Sequence, residues 1–131
     1  MQRDFTEWTH LKQKIQARNI PPRFSERELW WANIGENIGH EENGKGSQFS
    51  RPVLILRKFS THLFWGIPLT TQLKDTPYYH KIIINGREQC LMTSQLTRWD
   101  AKRLTTRMGK LTTKEFKTVQ SALVTLLHKD F

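Results

Sequence analysis

Short apolar runs recur through the middle of this chain, and their lengths and separators constrain the fold more than any other feature. The runs cover residues 29–34, 52–56, 63–69, 78–84 and 88–92. Each is long enough for a β-strand and too short for a typical helix, and turn-forming residues separate most of them. The sequence therefore predicts five consecutive short strands, and residues 102–111 offer a sixth.

The connections between these runs predict how the strands pair. Asn85-Gly86 joins the last two runs, and both residues readily adopt the positive φ angles of a type I′ turn, so we expect a tight hairpin. Gly66 interrupts another run, where we expect a bulge or a bend. Strands in this order predict a small, strongly bent antiparallel sheet or a partly open barrel.

Two helices are expected, one on either side of the strands. A capping-box pattern at residues 4–7 precedes apolar residues at helical spacing, and Pro22 follows the end of that segment. Thr112 to Glu115 repeats the capping pattern before five apolar residues that share a helical face: Phe116, Val119, Leu123, Leu126 and Leu127. We therefore expect a mainly β (α+β) fold with an N-terminal helical extension (residues 1–22) and a domain (residues 23–131) closed by a C-terminal helix.

The net charge of +9 lies entirely in the second part of the chain. Residues 1–50 hold seven Lys/Arg and seven Asp/Glu, which cancel, whereas residues 51–131 hold the other fourteen basic and five acidic residues. Such a basic domain favours a polyanionic partner, with nucleic acid ahead of a membrane surface or an acidic protein. A solvated basic face without a specific partner is the alternative.

The sequence contains neither an evident membrane segment nor the cysteines for a disulfide. Cys90 is the only cysteine, which fits a reducing compartment, and the five histidines are scattered. The first 14 residues lack an uninterrupted apolar segment, and no later run is long enough to span a bilayer. We expect a cytoplasmic protein without a metal site or a cofactor.

Polar residues stand where the predicted strands begin and end. Arg51 opens the second strand after a glycine-rich loop, and Thr70 ends the third strand. A guanidinium and a hydroxyl at strand ends, beside a loop, can hold a phosphodiester. The alternatives are a surface ion pair of Arg51 with Glu41 or Glu42, and a Thr70 hydroxyl that satisfies the backbone.

Three motifs in a fixed order resemble those of the MazF/PemK-type toxin endoribonucleases of bacterial toxin–antitoxin pairs. An Ile-Gly-x-Glu-rich loop precedes Arg-Pro-Val-Leu-Ile-Leu at 51–56, Pro-Leu-Thr-Thr-Gln follows at 68–72, and Ser-Gln-Leu at 94–96 precedes Asp-Ala-Lys-Arg-Leu at 100–104. The resemblance covers about residues 27–131. It implies an SH3-like barrel, similar also to CcdB, that works as a homodimer, cuts single-stranded RNA without a metal ion and binds a cognate antitoxin.

The resemblance also implies a reaction, in which a ribose 2′-OH attacks the adjacent phosphate and leaves a 5′-OH end. Arg51 matches the catalytic arginine of the family and would stabilise the transition state, and Thr70 matches its active-site threonine. Asp100 matches an aspartate beside the active site. It either takes part in proton transfer or orders the loop that holds Lys102 and Arg103.

The loop from Ile38 to Ser50 is expected to gate the RNA groove. It offers His40, Glu41 and Lys45 as RNA contacts, although His40 also fits a plain exposed loop histidine. Further RNA contacts are expected at the end of the third strand, from Thr71 and Gln72. The aromatic residues of the strands, Trp30, Trp31 and Trp65, are expected in the core.

One position departs from the family pattern. Many members carry an arginine three residues before the aspartate, where this chain has Thr97, and Arg98 follows one position later. Either Arg98 substitutes as an RNA contact with shifted geometry, or that role is missing. The departure leaves open an RNA-binding module that has lost cleavage. A non-catalytic toxin that resembles the CcdB-type gyrase poisons is the other alternative, which the Arg51–Thr70 pair argues against.

Overall fold

The computed structural model describes residues 20–34 and 50–128. The predicted N-terminal helix, most of the loop before Arg51 and the RNA contacts predicted within that loop (His40, Glu41 and Lys45) lie outside these residues. The described strands and helix are β1 (Glu28–Asn33), β2 (Ser50–Lys58), β3 (Leu63–Thr70), β4 (Tyr79–Ile84), β5 (Arg87–Met92), β6 (Thr97–Asp100), β7 (Leu104–Lys110) and α1 (Thr113–Leu127). No helix among the described residues is long and apolar enough to cross a membrane.

The seven strands form one antiparallel sheet in the order β4-β5-β3-β2-β1-β7, and β6 pairs with β3 beside this path. The two halves of β3 have different partners on that side, because its last two residues pair with β5 and its first four pair with β6. The sheet therefore divides and bends at β3. The expected strongly bent antiparallel sheet with a C-terminal helix is confirmed.

The buried side chains of the strands alternate between the two faces of the sheet, so the hydrophobic core of the described residues consists of two clusters. The helix face carries Leu54 and Ile67, which share a cluster with Phe116 and Val119 of α1. The far face carries Val53 and Phe64, which pack with residues from other strands and from two adjoining segments: Phe24, Trp30, Ile55, Trp99, Ala101 and Leu104. Successive residues of a strand point to opposite faces, so the face of any strand residue follows from these clusters.

The strand irregularity expected at Gly66 lies instead on the neighbouring strand. Ile55 pairs with Gly66, but the next pair joins Arg57 to Trp65, so Leu56 is an extra residue in β2. Gly66 has a different role, because a Cβ atom there would lie 2.8 Å from both Phe64 Cε2 and Val53 Cγ2. A glycine is therefore needed at position 66 because neighbouring side chains on the far face leave no room for a Cβ atom. The bulge lies in β2.

Local turn and capping signals form as expected. Asn85 and Gly86 have φ angles of 52° and 79°, which fit the tight turn between β4 and β5. At α1 the Thr112 hydroxyl accepts from the Glu115 amide at 3.1 Å, and the Glu115 carboxylate accepts from the Thr112 amide at 2.8 Å. The predicted apolar face is wrong at its last position, because Leu127 is 83% exposed in the final residue of the helix.

The expected burial of three tryptophans is correct for one of them. Trp30 is buried, whereas Trp31 and Trp65 are 38% and 46% exposed. Trp31 follows a buried residue in β1, and Trp65 follows the buried Phe64 in β3. Because side chains alternate between the faces, each of these tryptophans points away from the far-face cluster.

Glu28 joins the start of β1 to two other segments. One carboxylate oxygen accepts from the Trp30 indole and from the Ser25 amide, each at 2.9 Å, and the other accepts from Arg107 Nε of β7 at 3.1 Å. Burial raises the pKa of Glu28, but these hydrogen bonds and the charge of Arg107 outweigh burial and leave the pKa below the usual 4.5. The ionised carboxylate therefore stabilises the fold.

Candidate functional site

Arg51 and Thr70 lie at the same end of neighbouring antiparallel strands. Arg51 is the second residue of β2, and Thr70 is the last residue of β3. The register pairs Val53 with Pro68, so its continuation by two residues sets Arg51 opposite Thr70. Both residues point to the far face and are half-buried. Of the three residues predicted as catalytic, these two lie on one face at the same end of neighbouring strands.

The Thr70 hydroxyl already has one hydrogen bond. Its Oγ1 accepts from the Gln72 amide at 3.2 Å, which is the backbone role considered as the alternative. A hydroxyl that accepts one bond still has its own proton to donate. Thr70 can therefore be held by the backbone and donate to a phosphate oxygen at the same time.

The Arg51 guanidinium has no hydrogen-bond acceptor or ion-pair partner among residues 20–34 and 50–128. Glu41 and Glu42, the carboxylates considered as its partners, lie outside that part of the chain. Ala32 of β1 is the cross-strand partner of Arg51 on its other side. The small, buried Ala32 leaves the far face open for the longer side chain beside it.

Two residues that were not predicted as site residues border this end of the sheet. Arg103 Nη1 donates to the backbone carbonyl of Asn33 at 3.1 Å, where β1 ends. Ala32 pairs with Arg51 on one side and with Leu104, the first residue of β7, on the other, so Arg103, which directly precedes Leu104, approaches the same strand end.

Lys81 is the second residue at this end of the sheet that was not predicted as a site residue. Cys90 of β5 pairs with Thr70 on one side and with Lys81 of β4 on the other. Lys81 therefore lies on the same face as Thr70, two strands away, which corresponds to about 10 Å. Its side chain is exposed. Only the register of the two strand pairs reveals this relation, and no sequence motif marks it.

Asp100, the third residue predicted as catalytic, lies at the opposite end of β3. It pairs with Leu63, the first residue of that strand, whereas Thr70 is the last. Seven residues of extended strand correspond to about 23 Å. Asp100 Oδ1 accepts from the Lys102 amide at 2.9 Å and caps the short 3₁₀ helix Ala101–Arg103. The carboxylate thus has the loop-ordering geometry that was considered beside the catalytic one.

The chain departs from the family pattern at Thr97 and Arg98, and these two side chains lie on opposite faces of the sheet. Thr97 pairs with Gly66 and therefore shares the face of Thr70. Arg98 pairs with Trp65 and points to the helix face, away from Arg51. The two other predicted RNA contacts, Thr71 and Gln72, are exposed directly after β3.

Few other groups among the described residues bear on the chemistry of this end of the sheet. Within that part of the chain, no three His, Cys, Asp or Glu side chains are grouped so that they could hold a metal ion. His80 precedes Lys81 in β4, and burial lowers its pKa below the usual 6.5. The neutral imidazole is therefore favoured at neutral pH.

Comparisons with known proteins agree with this architecture. Residues 25–127 match the model of the PemK-like, MazF-like toxins of type II toxin–antitoxin systems. The fold is similar to that of the Mycobacterium tuberculosis toxin MazF-mt6, with a TM-score of 0.60 and 14% identity over 80% of this chain and 100% of that chain. No protein with a curated description matches this chain.

Two further solved structures have the same fold. A mycobacterial endoribonuclease in complex with its cognate antitoxin has a TM-score of 0.60 and 15% identity over 84% of this chain and 98% of that chain. MazF from Deinococcus radiodurans has a TM-score of 0.60 and 21% identity over 85% of this chain and 100% of that chain. At these identities the structural similarity establishes the fold.

Proposed function

Because the chain belongs to the PemK-like, MazF-like toxin family of type II toxin–antitoxin systems, we propose that it is an endoribonuclease that cleaves single-stranded RNA. The membership confirms the resemblance drawn from the three sequence motifs. The proposed reaction is attack of a ribose 2′-oxygen on the adjacent phosphorus, with departure of the 5′-oxygen. The 2′-hydroxyl loses a proton, the leaving oxygen gains one, and the products carry a cyclic phosphate and a 5′-OH end.

The location of Arg51 and Thr70 on one face, at the same end of neighbouring strands, supports this reaction most strongly. A pentacoordinate transition state gathers negative charge on its non-bridging oxygens, and an arginine remains charged at any physiological pH. In the proposal the Arg51 guanidinium donates to these oxygens. The free proton of the Thr70 hydroxyl donates to the same phosphate and holds it against the strand end.

Asp100 has a positioning role in this proposal. Its carboxylate caps the 3₁₀ helix that ends at Arg103, and Arg103 in turn donates to the end of β1 beside Arg51. The separation along β3 keeps Asp100 away from the Arg51–Thr70 pair of the same subunit. Substitution of Asp100 should therefore affect cleavage through the order of this loop.

The proposed partners follow from charge and from the similar structures. A mycobacterial endoribonuclease of this fold is known in complex with its cognate antitoxin. The basic excess of residues 51–131 suits an antitoxin with an acidic binding segment, which would compete with RNA. We propose that the toxin works as a cytoplasmic homodimer.

The test is cleavage of a long single-stranded RNA by the purified protein in the presence of EDTA. Discrete cuts with 5′-OH ends are expected from the wild type. Loss of an electrostatic donor at the transition state lowers kcat by about 10²- to 10³-fold, which is the effect expected for Arg51→Ala. Thr70→Val should also be impaired, and Thr70→Ser, which keeps the hydroxyl, should retain most of the activity.

A matched control removes an arginine from the exposed start of β5, where Arg87→Ala should cleave like the wild type. Equal cleavage by Arg51→Ala and Arg87→Ala would refute the site. Inhibition of gyrase supercoiling without RNA cleavage would instead assign the chain to the non-catalytic toxins. RNA binding without any cleavage would identify an RNA-binding module.

A further inference from the structure

A cationic and aromatic surface lies on the helix face of the sheet, away from the Arg51–Thr70 pair. It consists of Arg57, Phe59, Trp65 and Arg98, which we call the arginine–tryptophan patch. Phe59 and Trp65 are 48% and 46% exposed, and both arginines are exposed. Two large aromatic rings and two guanidiniums thus share one exposed part of the sheet surface.

The strand register builds this patch around Trp65. Arg57 of β2 pairs with Trp65 on one side, and Arg98 of β6 pairs with it on the other. Paired residues of neighbouring strands share a face, so the two arginines flank the indole. Phe59 meets Trp65 in an edge-to-face contact with ring centroids 5.1 Å apart, and Arg57 Cζ lies 6.0 Å from the Phe59 centroid.

The charge of the patch is not neutralised within the part of the chain that the structure describes. There, neither Arg57 nor Arg98 has a hydrogen-bond acceptor or an ion-pair partner. The carboxylate nearest in register is that of Asp100, two residues after Arg98 on the same face, and it accepts from the Lys102 amide. The patch therefore presents two unpaired guanidiniums beside accessible ring surface.

These two features match the chemistry of single-stranded RNA. Unpaired bases stack on exposed aromatic side chains, and phosphates accept hydrogen bonds from guanidiniums. A second copy of this chain that docked symmetrically, patch against patch, would bring two further guanidiniums against the first two. Charge and stacking surface together favour RNA as the occupant.

We propose that the arginine–tryptophan patch binds a segment of single-stranded RNA that flanks the cleaved bond. The inference rests on the proposed nuclease function. Trp65 precedes Thr70 by five residues of β3, about 16 Å along the strand, and points to the other face. The patch therefore contacts nucleotides outside the cleavage site and adds affinity for long RNA without a role in bond breaking.

The test measures the affinity of the purified protein, in the oligomeric state that it adopts in solution, for oligouridylate. The oligouridylate is long enough to extend beyond the cleavage site. All binding variants carry Arg51→Ala, so that the RNA stays intact. Trp65→Thr removes the larger of the two stacking rings and should weaken binding about tenfold. Arg57→Gln with Arg98→Gln should lower the slope of log K against log salt by about 1.4, because each phosphate contact to a single strand contributes about 0.7.

The matched control removes the same charge from the exposed surface of α1, through Lys114→Gln with Lys117→Gln. This pair should leave the affinity for oligouridylate much closer to that of the parent protein. An equal loss from both pairs would mean that only net charge matters and would overturn the inference. The inference would also be overturned if Trp65→Thr left the affinity for oligouridylate unchanged. It would be overturned as well if the wild type were a dimer and Trp65→Thr converted it into monomers.

Two further results separate this inference from its rivals. If the patch variants retain RNA affinity but no longer bind a labelled glutamate-rich peptide that the parent binds, the patch is a protein-docking surface and the inference is wrong. Variants with wild-type Arg51 should still cut RNA with the same kcat. If the wild type cuts and the patch variants bind normally, only this inference fails, whereas a wild type without any cleavage refutes the proposed function itself.

Discussion

Gly66→Ala is expected to destabilise the fold although it adds a single methyl group. Gly66 lies in β3, the strand shared by both halves of the sheet and the one that ends at Thr70. An added Cβ would meet Phe64 Cε2 and Val53 Cγ2 at 2.8 Å and Trp99 Cδ1 at 3.0 Å. Phe64 and Val53 are fully buried, so they have no open space into which to move.

Two opposing terms determine the size of the effect. Alanine in a strand is more favourable than glycine by about 0.5–1 kcal/mol, because it restricts the unfolded chain. Overpacking of a dense core costs about 1–3 kcal/mol, and three simultaneous close contacts put this site at the upper end. The net loss is therefore about 2 kcal/mol, which lowers Tm by about 8 °C for a chain of this length.

Thermal and urea unfolding followed by circular dichroism measure this loss. Gly109→Ala is the matched control, because nothing lies within 4 Å of an added Cβ there and the same entropic gain applies. It should be neutral or slightly stabilising. Val53→Ala in the Gly66→Ala background removes one clash, so the double variant should be more stable than the sum of the single effects. A Gly66→Ala protein as stable as Gly109→Ala would refute the close approach on the far face.

Two other predictions concern acid stability and substrate affinity. The pKa of Glu28 lies below 4.5, because hydrogen bonds from the Trp30 indole, a backbone amide and Arg107 outweigh the effect of burial. Its stabilising contribution is present above pH 4.5 and is lost as the pH falls through the lowered pKa, so Glu28→Gln should weaken the dependence of urea unfolding on pH in that acid range. Lys81→Gln, on the face of Thr70, should reduce the salt slope of RNA binding by about 0.7 and leave kcat unchanged; an unaltered slope would show that Lys81 meets no phosphate.

Local signals in the sequence were sufficient for the elements that depend on local interactions. The Asn85-Gly86 turn and the capping box of Thr112 and Glu115 need only neighbouring residues, and both form as expected. The proximity of Arg51 and Thr70 also follows from sequence order. When two antiparallel strands are consecutive, the start of one lies beside the end of the next.

Local sequence signals could not predict which distant strands pair with each other or in which register. The segment Thr97–Asp100 is too polar to be predicted as a strand from its apolar residues. It forms a strand because the first half of β3 has an edge with which it can pair. The separation of Asp100 from Thr70 and the alignment of Lys81 with Thr70 both follow from which half of β3 each neighbour pairs with. No single segment carries that information.

The extra residue in β2 has a consequence for how this chain can change length during evolution. Arg51 and Arg57 are separated by an even number of positions, yet they lie on opposite faces because Leu56 has no partner in β3. A homologue that lacks the residue at position 56 could keep both guanidiniums on their present sides with a regular strand. A deletion between Arg51 and Ile55 would instead turn Arg51 away from Thr70. Insertions and deletions in relatives are thus expected to concentrate at Leu56, where the protein can absorb them without exchanging the two surfaces.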